Sequence, residues 1–118
     1  MTYKEFLNSN IWRKYRDLAL ILFNNKCHFC ENGGELHLHH TKYWGKNTYK
    51  MSELKIFPKN NFRWFLLLCK NCHKNIHDIQ NKTGLDVYKS TKEYKKLFPK
   101  KTMWLSKKRI NNILKEYT

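Results

Sequence analysis

The amino-acid sequence predicts a small α+β fold. Two observations lead to this class: an apolar periodicity typical of a helix near the N-terminus, and two short strand-like segments further along the chain. The 118 residues suit one compact domain with a small core, which benefits from an additional source of stability. We therefore expect residues 1–118 to form a single domain, with a core at about 25–80 and a basic helical extension at about 90–118.

Residues 10–24 are predicted to form a helix, for which Ser9 or Asn10 serves as the N-cap. Apolar residues recur in this segment at helical spacing and give the helix one buried side. They are Ile11, Tyr15, Leu18, Ile21, Leu22 and Phe23.

Two strands are predicted after this helix. Residues 35–39 alternate polar and apolar side chains, which is typical of a half-buried strand. Residues 62–69 form an apolar and aromatic run, interrupted by Arg63 alone, which indicates a buried strand. The polar segment 41–61 between them is expected to be irregular.

Three helices are predicted in the second half of the chain. Residues 71–81 are expected to form the first, with Gly84 ending that region. The other two are expected near Thr91–Leu97 and Ser106–Tyr117. In the last of them, apolar residues recur at helical spacing: Ile110, Ile113, Leu114 and Tyr117.

Two Cys-x-x-Cys pairs form the most specific pattern in the sequence: Cys27 with Cys30, and Cys69 with Cys72. Two intervening residues let both sulfur atoms reach one ion from a tight turn, and two such pairs complete a tetrahedral zinc site. Four thiolates leave no open coordination position, so we expect this Zn²⁺ to be structural. The alternative is four buried free thiols.

The histidines form a second pattern. His73 and His77 are four residues apart, so both imidazoles lie on one face of the predicted helix, a geometry that chelates metal. Adjacent His39 and His40 point to opposite faces of an extended strand, which predicts different roles for them. His37 shares the face of His39. Spacing alone does not assign a role to each histidine, and a helical pair by itself is also found on solvated faces.

The chain is strongly basic, with 24 Lys and Arg against 9 Asp and Glu and a formal net charge of +15. A surface of this charge favours a polyanionic partner, and nucleic acid is the usual one. The alternative is codon bias in a low-GC genome, because most of the basic residues are lysines. The same composition suggests a bacterial or phage source.

No membrane segment is predicted, because the longest apolar run, Leu18–Phe23, is far too short to cross a bilayer. The first residues do not form a basic segment that leads into an apolar stretch, so we expect no signal peptide. A cytoplasmic location follows as an expectation, and there paired cysteines bind metal more often than they form disulfides.

The order of these motifs resembles the HNH endonuclease family. The resemblance covers about residues 5–80 and includes the Cys pairs, Leu-His-Leu-His-His at 36–40 and Cys-His-x-x-x-His at 72–77. The segment 6–13 is similar to the leader helix of prokaryotic members, and His40-Thr41-Lys42-Tyr43 is similar to the segment after their histidine pair. The resemblance implies a ββα-metal core of the His-Me finger type.

The resemblance also implies roles for the histidines. His39, His73 and His77 match the ligands of one catalytic divalent ion, which imidazoles accept as Mg²⁺, Mn²⁺, Ni²⁺ or Zn²⁺. His40 matches the general base that takes a proton from the attacking water. The expected activity is hydrolysis of DNA phosphodiester bonds, leaving 5′-phosphate and 3′-hydroxyl ends.

One position departs from the family pattern. Trp64 stands where the family has an Asn or Asp that fixes the loop carrying the general base. A local shift would let Asn61 substitute, or the backbone is held in another way. The departure sustains an alternative function, a catalytically silent zinc-containing module that binds nucleic acid.

DNA is the expected partner, bound by a monomer or homodimer, alone or with other phage or restriction proteins. Lys42 and Tyr43 follow the histidine pair and are expected to contact the DNA backbone. We expect the basic C-terminal helix to lie along phosphates, which position a duplex without reading its sequence. Its candidate residues are Lys107, Lys108 and Arg109.

Overall fold

The computed structural model describes residues 10–41, 62, 64–103 and 105–115, without the side chains of Ile11 and Leu114. Within these residues the chain forms four helices and a two-stranded antiparallel sheet, which confirms the α+β class. In chain order the elements are α1 (Asn10–Leu22), β1 (Leu36–His40), β2 (Phe65–Cys69), α2 (Lys70–Thr83), α3 (Val87–Lys95) and α4 (Lys107–Leu114).

Helix α1 forms where the apolar periodicity predicts it. Its buried side consists of Tyr15, Leu18, Ala19 and Leu22, at the i, i+3, i+4, i+7 spacing of one helical face. Ile21, which we expected on this side, is instead 38% exposed. The reason lies in the helix geometry. Tyr15 and Ala19 mark the centre of the buried face, Leu18 lies at its edge, and Ile21 is rotated about 60° further round the helix than Leu18.

The end of α1 is held by a residue from the far end of the chain. The Arg109 guanidinium donates hydrogen bonds to the carbonyl oxygen of Leu22 from Nε and Nη2, over 3.0 and 2.8 Å. Nη2 also reaches Oδ1 of Asn24 at 3.3 Å. A cation at the C-terminus of a helix satisfies its terminal carbonyl and interacts favourably with the helix dipole. Helix α4 is thereby fixed against α1.

The sheet pairs β1 with β2 in a register that runs from Leu36 opposite Cys69 to His40 opposite Phe65. All five residues of β2 are buried, as the continuous apolar run predicts. The backbone N–H of His28 donates to the carbonyl of Leu67 over 2.8 Å, so the first cysteine turn lies beside the sheet. The two Cys-x-x-Cys turns are therefore brought to one end of the sheet.

Helix α2 follows β2 without a connecting loop. Cys69 is its N-cap, and Sγ of Cys69 accepts a hydrogen bond from the backbone N–H of Cys72 over 3.4 Å. Gly84 ends the helix in the left-handed conformation, with φ of 73°, which glycine adopts without steric cost. This continuity fixes the direction of α2 relative to the second cysteine pair.

Helix α3 begins four residues earlier than the sequence predicts, at Val87 instead of Thr91. The Asp86 side chain caps it by accepting a hydrogen bond from the Lys89 N–H over 2.7 Å. Its buried side carries two hydroxyl residues, Ser90 and Thr91, together with Val87 and Tyr94. An analysis of apolar periodicity does not detect a buried face of this composition, which explains the shifted boundary.

The segment before α4 packs on the first cysteine turn. Phe98 stacks on Phe29 with ring centroids 5.4 Å apart, and Nε2 of His28 donates to the Thr102 carbonyl over 2.6 Å. Lys101 and Glu31 form an ion pair at 3.4 Å. The basic C-terminal extension is thus packed on the cysteine end of the molecule instead of projecting from it.

Candidate metal centres

The four cysteines converge at the junction of the first turn, β2 and α2. Their sulfur atoms lie within 4.8 Å of one another, and Sγ of Cys30 is 3.5 Å from Sγ of Cys69. All four are free thiols. Zn–S bonds of about 2.3 Å in a tetrahedral site place sulfur atoms roughly 3.8 Å apart. The cluster therefore has the composition and spacing of a site that can hold a zinc ion.

Loss of protons from this buried cluster needs a compensating positive charge. Burial raises the pKa of Cys30 and of Cys72 above the usual thiol value. Burial also acts to raise the pKa of Cys69, but hydrogen bonds, the first from the Cys72 N–H, outweigh it and lower that pKa. Neighbouring buried thiols resist losing their protons together, and a divalent cation compensates the charge when they do.

Three histidines converge in a second cluster between β1 and α2. One nitrogen atom from each of His39, His73 and His77 lies within 4.8 Å of the others, and the Nε2 atoms of His73 and His77 are 3.0 Å apart. Metal–nitrogen bonds of 2.0–2.1 Å at the tetrahedral angle separate two ligand nitrogens by roughly 3.3 Å. The spacing therefore fits a single shared ion.

Burial keeps His39 and His73 of this cluster neutral. Burial and the nearby positive charges of other histidines lower the pKa of His39 well below its usual value. The same two causes lower the pKa of His73 to about 4. Neutral imidazole is the form that binds metal, so these side chains fit a divalent cation at neutral pH.

Two hydrogen bonds orient rings of this cluster. Nδ1 of His77 lies 3.3 Å from Oε1 of Gln80, and Nε2 of His39 lies 2.9 Å from the Thr91 hydroxyl. Metal-binding histidines commonly use their second ring nitrogen in this way. Donation from Nδ1 of His77 leaves its Nε2, which faces His73, as the nitrogen with a lone pair.

His40 stands beside the cluster without joining the group of converging nitrogens. Its ring centroid is 6.4 Å from that of His39, and burial followed by the charge of His77 lowers its pKa to about 4. The next residue, Thr41, donates to the Trp64 carbonyl from its backbone N–H over 2.8 Å and from its hydroxyl over 3.0 Å. The backbone at His40 is therefore fixed by the main chain of Trp64.

His37 lies on the His39 side of β1, as strand alternation predicts. The ring centroids of His37 and His39 are each 5.2 Å from that of His73. Nε2 of His37 faces Oε1 of Glu35 at 3.5 Å. His37 thus borders the cluster, and its near partner is a carboxylate.

The expected DNA-contacting residues fall into three groups. Lys42 and Tyr43 lie outside the described residues. Lys107 and Lys108 are exposed on the first turn of α4. Arg109 is half-buried and its guanidinium is engaged at the end of α1, so this side chain differs from the two exposed lysines beside it.

Two residues of α3 contact the clusters, although the sequence patterns did not indicate them as site residues. The Tyr94 hydroxyl donates to Sγ of Cys72 over 3.1 Å, and burial followed by this bond raises the pKa of Tyr94 to about 12. Thr91 contacts His39, as described above. The capping residue Asp86 is the sequence signal for a helix that presents both side chains on one face.

Comparisons with known proteins do not assign the chain to a family. No family model, curated protein or solved structure matches it. Along the described part of the chain, none of the helices combines the length and apolarity that crossing a bilayer requires. Inferences about function therefore rest on the two clusters and on the charge of the chain.

Proposed function

We propose that this protein is a metal-dependent DNA endonuclease of the HNH type, built on a ββα-metal core formed by β1, β2 and α2. One observation carries the proposal. Nitrogen atoms of three histidines lie within 4.8 Å of one another on one side of β1, and a fourth histidine, His40, stands next to them. A module that only binds nucleic acid needs none of these four side chains.

The chemistry follows from this division of roles. His39, His73 and His77 would hold one divalent ion, and three protein ligands are the number typical of a catalytic site. When bound, the ion stabilises the negative charge that grows on the phosphate and on the departing 3′ oxygen. His40 accepts a proton from water as the water oxygen bonds to phosphorus and the bond to the 3′ oxygen breaks. The departing 3′ oxygen takes a proton from solvent water, which yields 5′-phosphate and 3′-hydroxyl ends.

The lowered pKa of His40 keeps the imidazole unprotonated, as a base must be before it accepts a proton, but also makes it a weaker base than an ordinary imidazole. With its pKa lowered to about 4, the imidazole is neutral at pH 7 and has a lone pair to accept a proton. Two bonds from Thr41 to the Trp64 carbonyl hold the adjacent backbone, which is the task that the family assigns to an Asn or Asp side chain. Trp64 at this position is thus compatible with a fixed base.

The charge supports a polyanionic substrate. The chain carries a formal +15, and Lys107 and Lys108 are exposed on α4. Lysines at these positions attract phosphates and release counterions when they bind, which makes binding dependent on salt. The cysteine cluster, with a structural Zn²⁺, holds β2 and α2 in the orientation that brings the histidines together.

The test is cleavage of supercoiled plasmid in Mg²⁺, Mn²⁺, Ni²⁺ or Zn²⁺, with an EDTA control. The matched variants are His40→Ala and His37→Ala. Each removes one imidazole from β1, and the two residues lie on opposite faces of the strand. We expect metal-dependent nicking or linearisation, a fall of about 10²- to 10⁴-fold in His40→Ala, and retained activity in His37→Ala. Metal content measured in parallel should be the same in all three proteins.

Binding of plasmid without cleavage in any metal would instead favour the silent zinc module, the alternative that Trp64 sustains. Trp64→Asn would then be the variant to examine, since it restores the family residue. A His40→Ala variant that cuts as fast as the parent would overturn the assignment of the base while leaving a nuclease in place.

A further inference from the structure

We propose that Thr91 is a positioning residue, which holds His39 in the tautomer that has hydrogen on Nε2 and so directs the lone pair of Nδ1 to the metal. Thr91 lies on α3, outside the β1–β2–α2 unit. The inference concerns the metal site of the proposed function, but its central prediction is a property of the protein with the histidine site unloaded.

The direction of the hydrogen bond follows from the partners of the Thr91 hydroxyl. Its oxygen lies 2.7 Å from the carbonyl oxygen of Val87 and 2.9 Å from Nε2 of His39. A carbonyl oxygen only accepts, so the single hydroxyl hydrogen of Thr91 is donated to Val87. The hydroxyl oxygen can then only accept from His39. Nε2 must therefore carry the hydrogen, and in a neutral imidazole Nδ1 is left with the lone pair.

Burial makes this contact decisive. Thr91 is 0% exposed and His39 is 1% exposed, so bulk water has no access with which to replace the hydroxyl. A buried N–H without an acceptor costs about 1–3 kcal/mol. If the hydroxyl were lost, the hydrogen would move to Nδ1 in a substantial fraction of molecules. Those molecules would have no lone pair on the nitrogen that the ion requires.

The same helix contacts both clusters on one face. Thr91 bonds to His39, and Tyr94, three residues later, bonds to Cys72. Val87 and Ser90 complete the buried face of α3, which packs against α2. The buried face of α3 therefore carries hydroxyl groups that hydrogen-bond to a residue of each cluster. Helix α3, which follows the β1–β2–α2 unit in the chain, thus contributes to metal binding.

The first experiment measures the tautomer directly. The protein is loaded with one equivalent of Zn²⁺, which four thiolates take up in preference to three imidazoles. Two-bond ¹H–¹⁵N correlation spectra at pH 7.5 then report which ring nitrogen of His39 carries the hydrogen. We expect hydrogen on Nε2. Hydrogen on Nδ1 would overturn the proposal, because the lone pair would then face Thr91.

The second experiment compares variants of α3. Thr91→Val keeps the side-chain shape without the hydroxyl, Thr91→Ser keeps the hydroxyl, and Ser90→Ala removes a neighbouring buried hydroxyl. We expect the affinity for a second equivalent of Zn²⁺ to fall about 10- to 100-fold in Thr91→Val alone. Equal affinity in Thr91→Val and the parent, or an equal loss in Thr91→Ser, would overturn the proposal.

Two controls separate this proposal from others. The thiolate-to-Co²⁺ absorption of the cysteine cluster reports whether each variant is folded, and the tautomer spectrum of the parent decides the question if Thr91→Val does not fold. Absence of plasmid cleavage would count against the nuclease and not against Thr91, because neither readout depends on cleavage.

Discussion

The hydroxyl of Tyr94 donates a hydrogen bond to Sγ of Cys72 over 3.1 Å, from a side chain that is only 6% exposed. Asn75, on α2, directs its Nδ2 toward the same hydroxyl at 3.5 Å. A donor to a metal-bound thiolate reduces the charge on sulfur and fixes its orientation. The contact links the second cysteine pair to α3, which is distant from it in the sequence.

Replacing Tyr94 by Phe should weaken zinc binding at the cysteine cluster. The ring and its packing remain, and only the hydroxyl that donates to the Cys72 sulfur is lost. Loss of such a contact typically costs 10- to 100-fold in metal affinity. Competition for Zn²⁺ with a chromophoric chelator measures this, with Tyr88→Phe on the same helix as the matched control. Equal affinities in the two variants would contradict the prediction.

Removing zinc from the cysteine cluster should abolish cooperative unfolding. Structural zinc contributes an apparent 10–16 kcal/mol in zinc-finger peptides, as much as the whole stability of a typical domain, about 5–15 kcal/mol. A strong chelator should therefore eliminate the thermal transition seen by circular dichroism. The control is His73→Gln, which removes only a ligand of the histidine cluster and should retain the transition. A chelated protein that still unfolds cooperatively near the original temperature would contradict a structural role.

Acidification should destabilise the protein through the histidine cluster. The pKa of His73 is about 4 in the folded chain, against an ordinary value near 6.5 in the unfolded chain. Between these values the unfolded state binds more protons, so the contribution of His73 to the free energy of unfolding falls as pH drops from 6.5 toward 4 and is constant above about 7. Denaturant titrations across this range measure the slope.

The control for this pH dependence is His73→Gln. Both proteins are loaded with one equivalent of Zn²⁺, so that zinc occupies the cysteine cluster and not the histidine cluster. Loss of zinc from the cysteines also destabilises the protein in acid, but that contribution is common to both proteins. We expect a shallower slope in the variant. An identical slope would show that the histidine contributes nothing to the acid sensitivity.

Neighbouring basic residues of α4 should separate stability from DNA binding. Arg109→Lys keeps the charge but loses the forked contact with the Leu22 carbonyl, so we expect a loss of about 1–3 kcal/mol in the free energy of unfolding. Lys107→Ala and Lys108→Ala should leave stability within about 0.5 kcal/mol, because both side chains are exposed.

For DNA binding we expect the opposite ranking of the variants, with a larger effect of the lysine substitutions than of Arg109→Lys. Each lysine variant should reduce the slope of log affinity against log salt by about 1 if that side chain contacts a phosphate. Arg109→Lys should leave the slope unchanged. Fluorescence anisotropy with a labelled duplex over a range of salt concentrations measures the slopes. A slope that is reduced in Arg109→Lys and unchanged in Lys107→Ala and Lys108→Ala would contradict this assignment.

Local sequence patterns predicted most of the fold. Helical periodicity located α1, strand alternation and the continuous apolar run located β1 and β2, and the cysteine spacing predicted the four-thiol cluster. Strand alternation also predicted that His37 and His39 share one face of β1. These features depend on residues close together in the sequence, which is why period and spacing reveal them.

The contacts that orient the ligands were not predictable in this way. Thr91 lies 52 residues from His39, and Tyr94 lies 22 residues from Cys72. No local pattern reports a pairing across such separations. The buried face of α3 also contains hydroxyl groups, so hydropathy favours the wrong part of the helix. Likewise, Arg109 belongs to a basic run whose charge suggests phosphates, although its guanidinium is used within the fold.

The contact between Arg109 and the end of α1 spans 87 residues, and that between His28 and Thr102 spans 74. During synthesis on the ribosome, α1 and the first cysteine turn are made early, yet the groups that satisfy their carbonyl and imidazole are made more than seventy residues later. Long-range contacts of this kind slow folding and leave surface exposed until they form. A nascent chain that ends before Arg109 therefore cannot form the contact that fixes α4 against α1, and the fold is complete only after translation has passed α4.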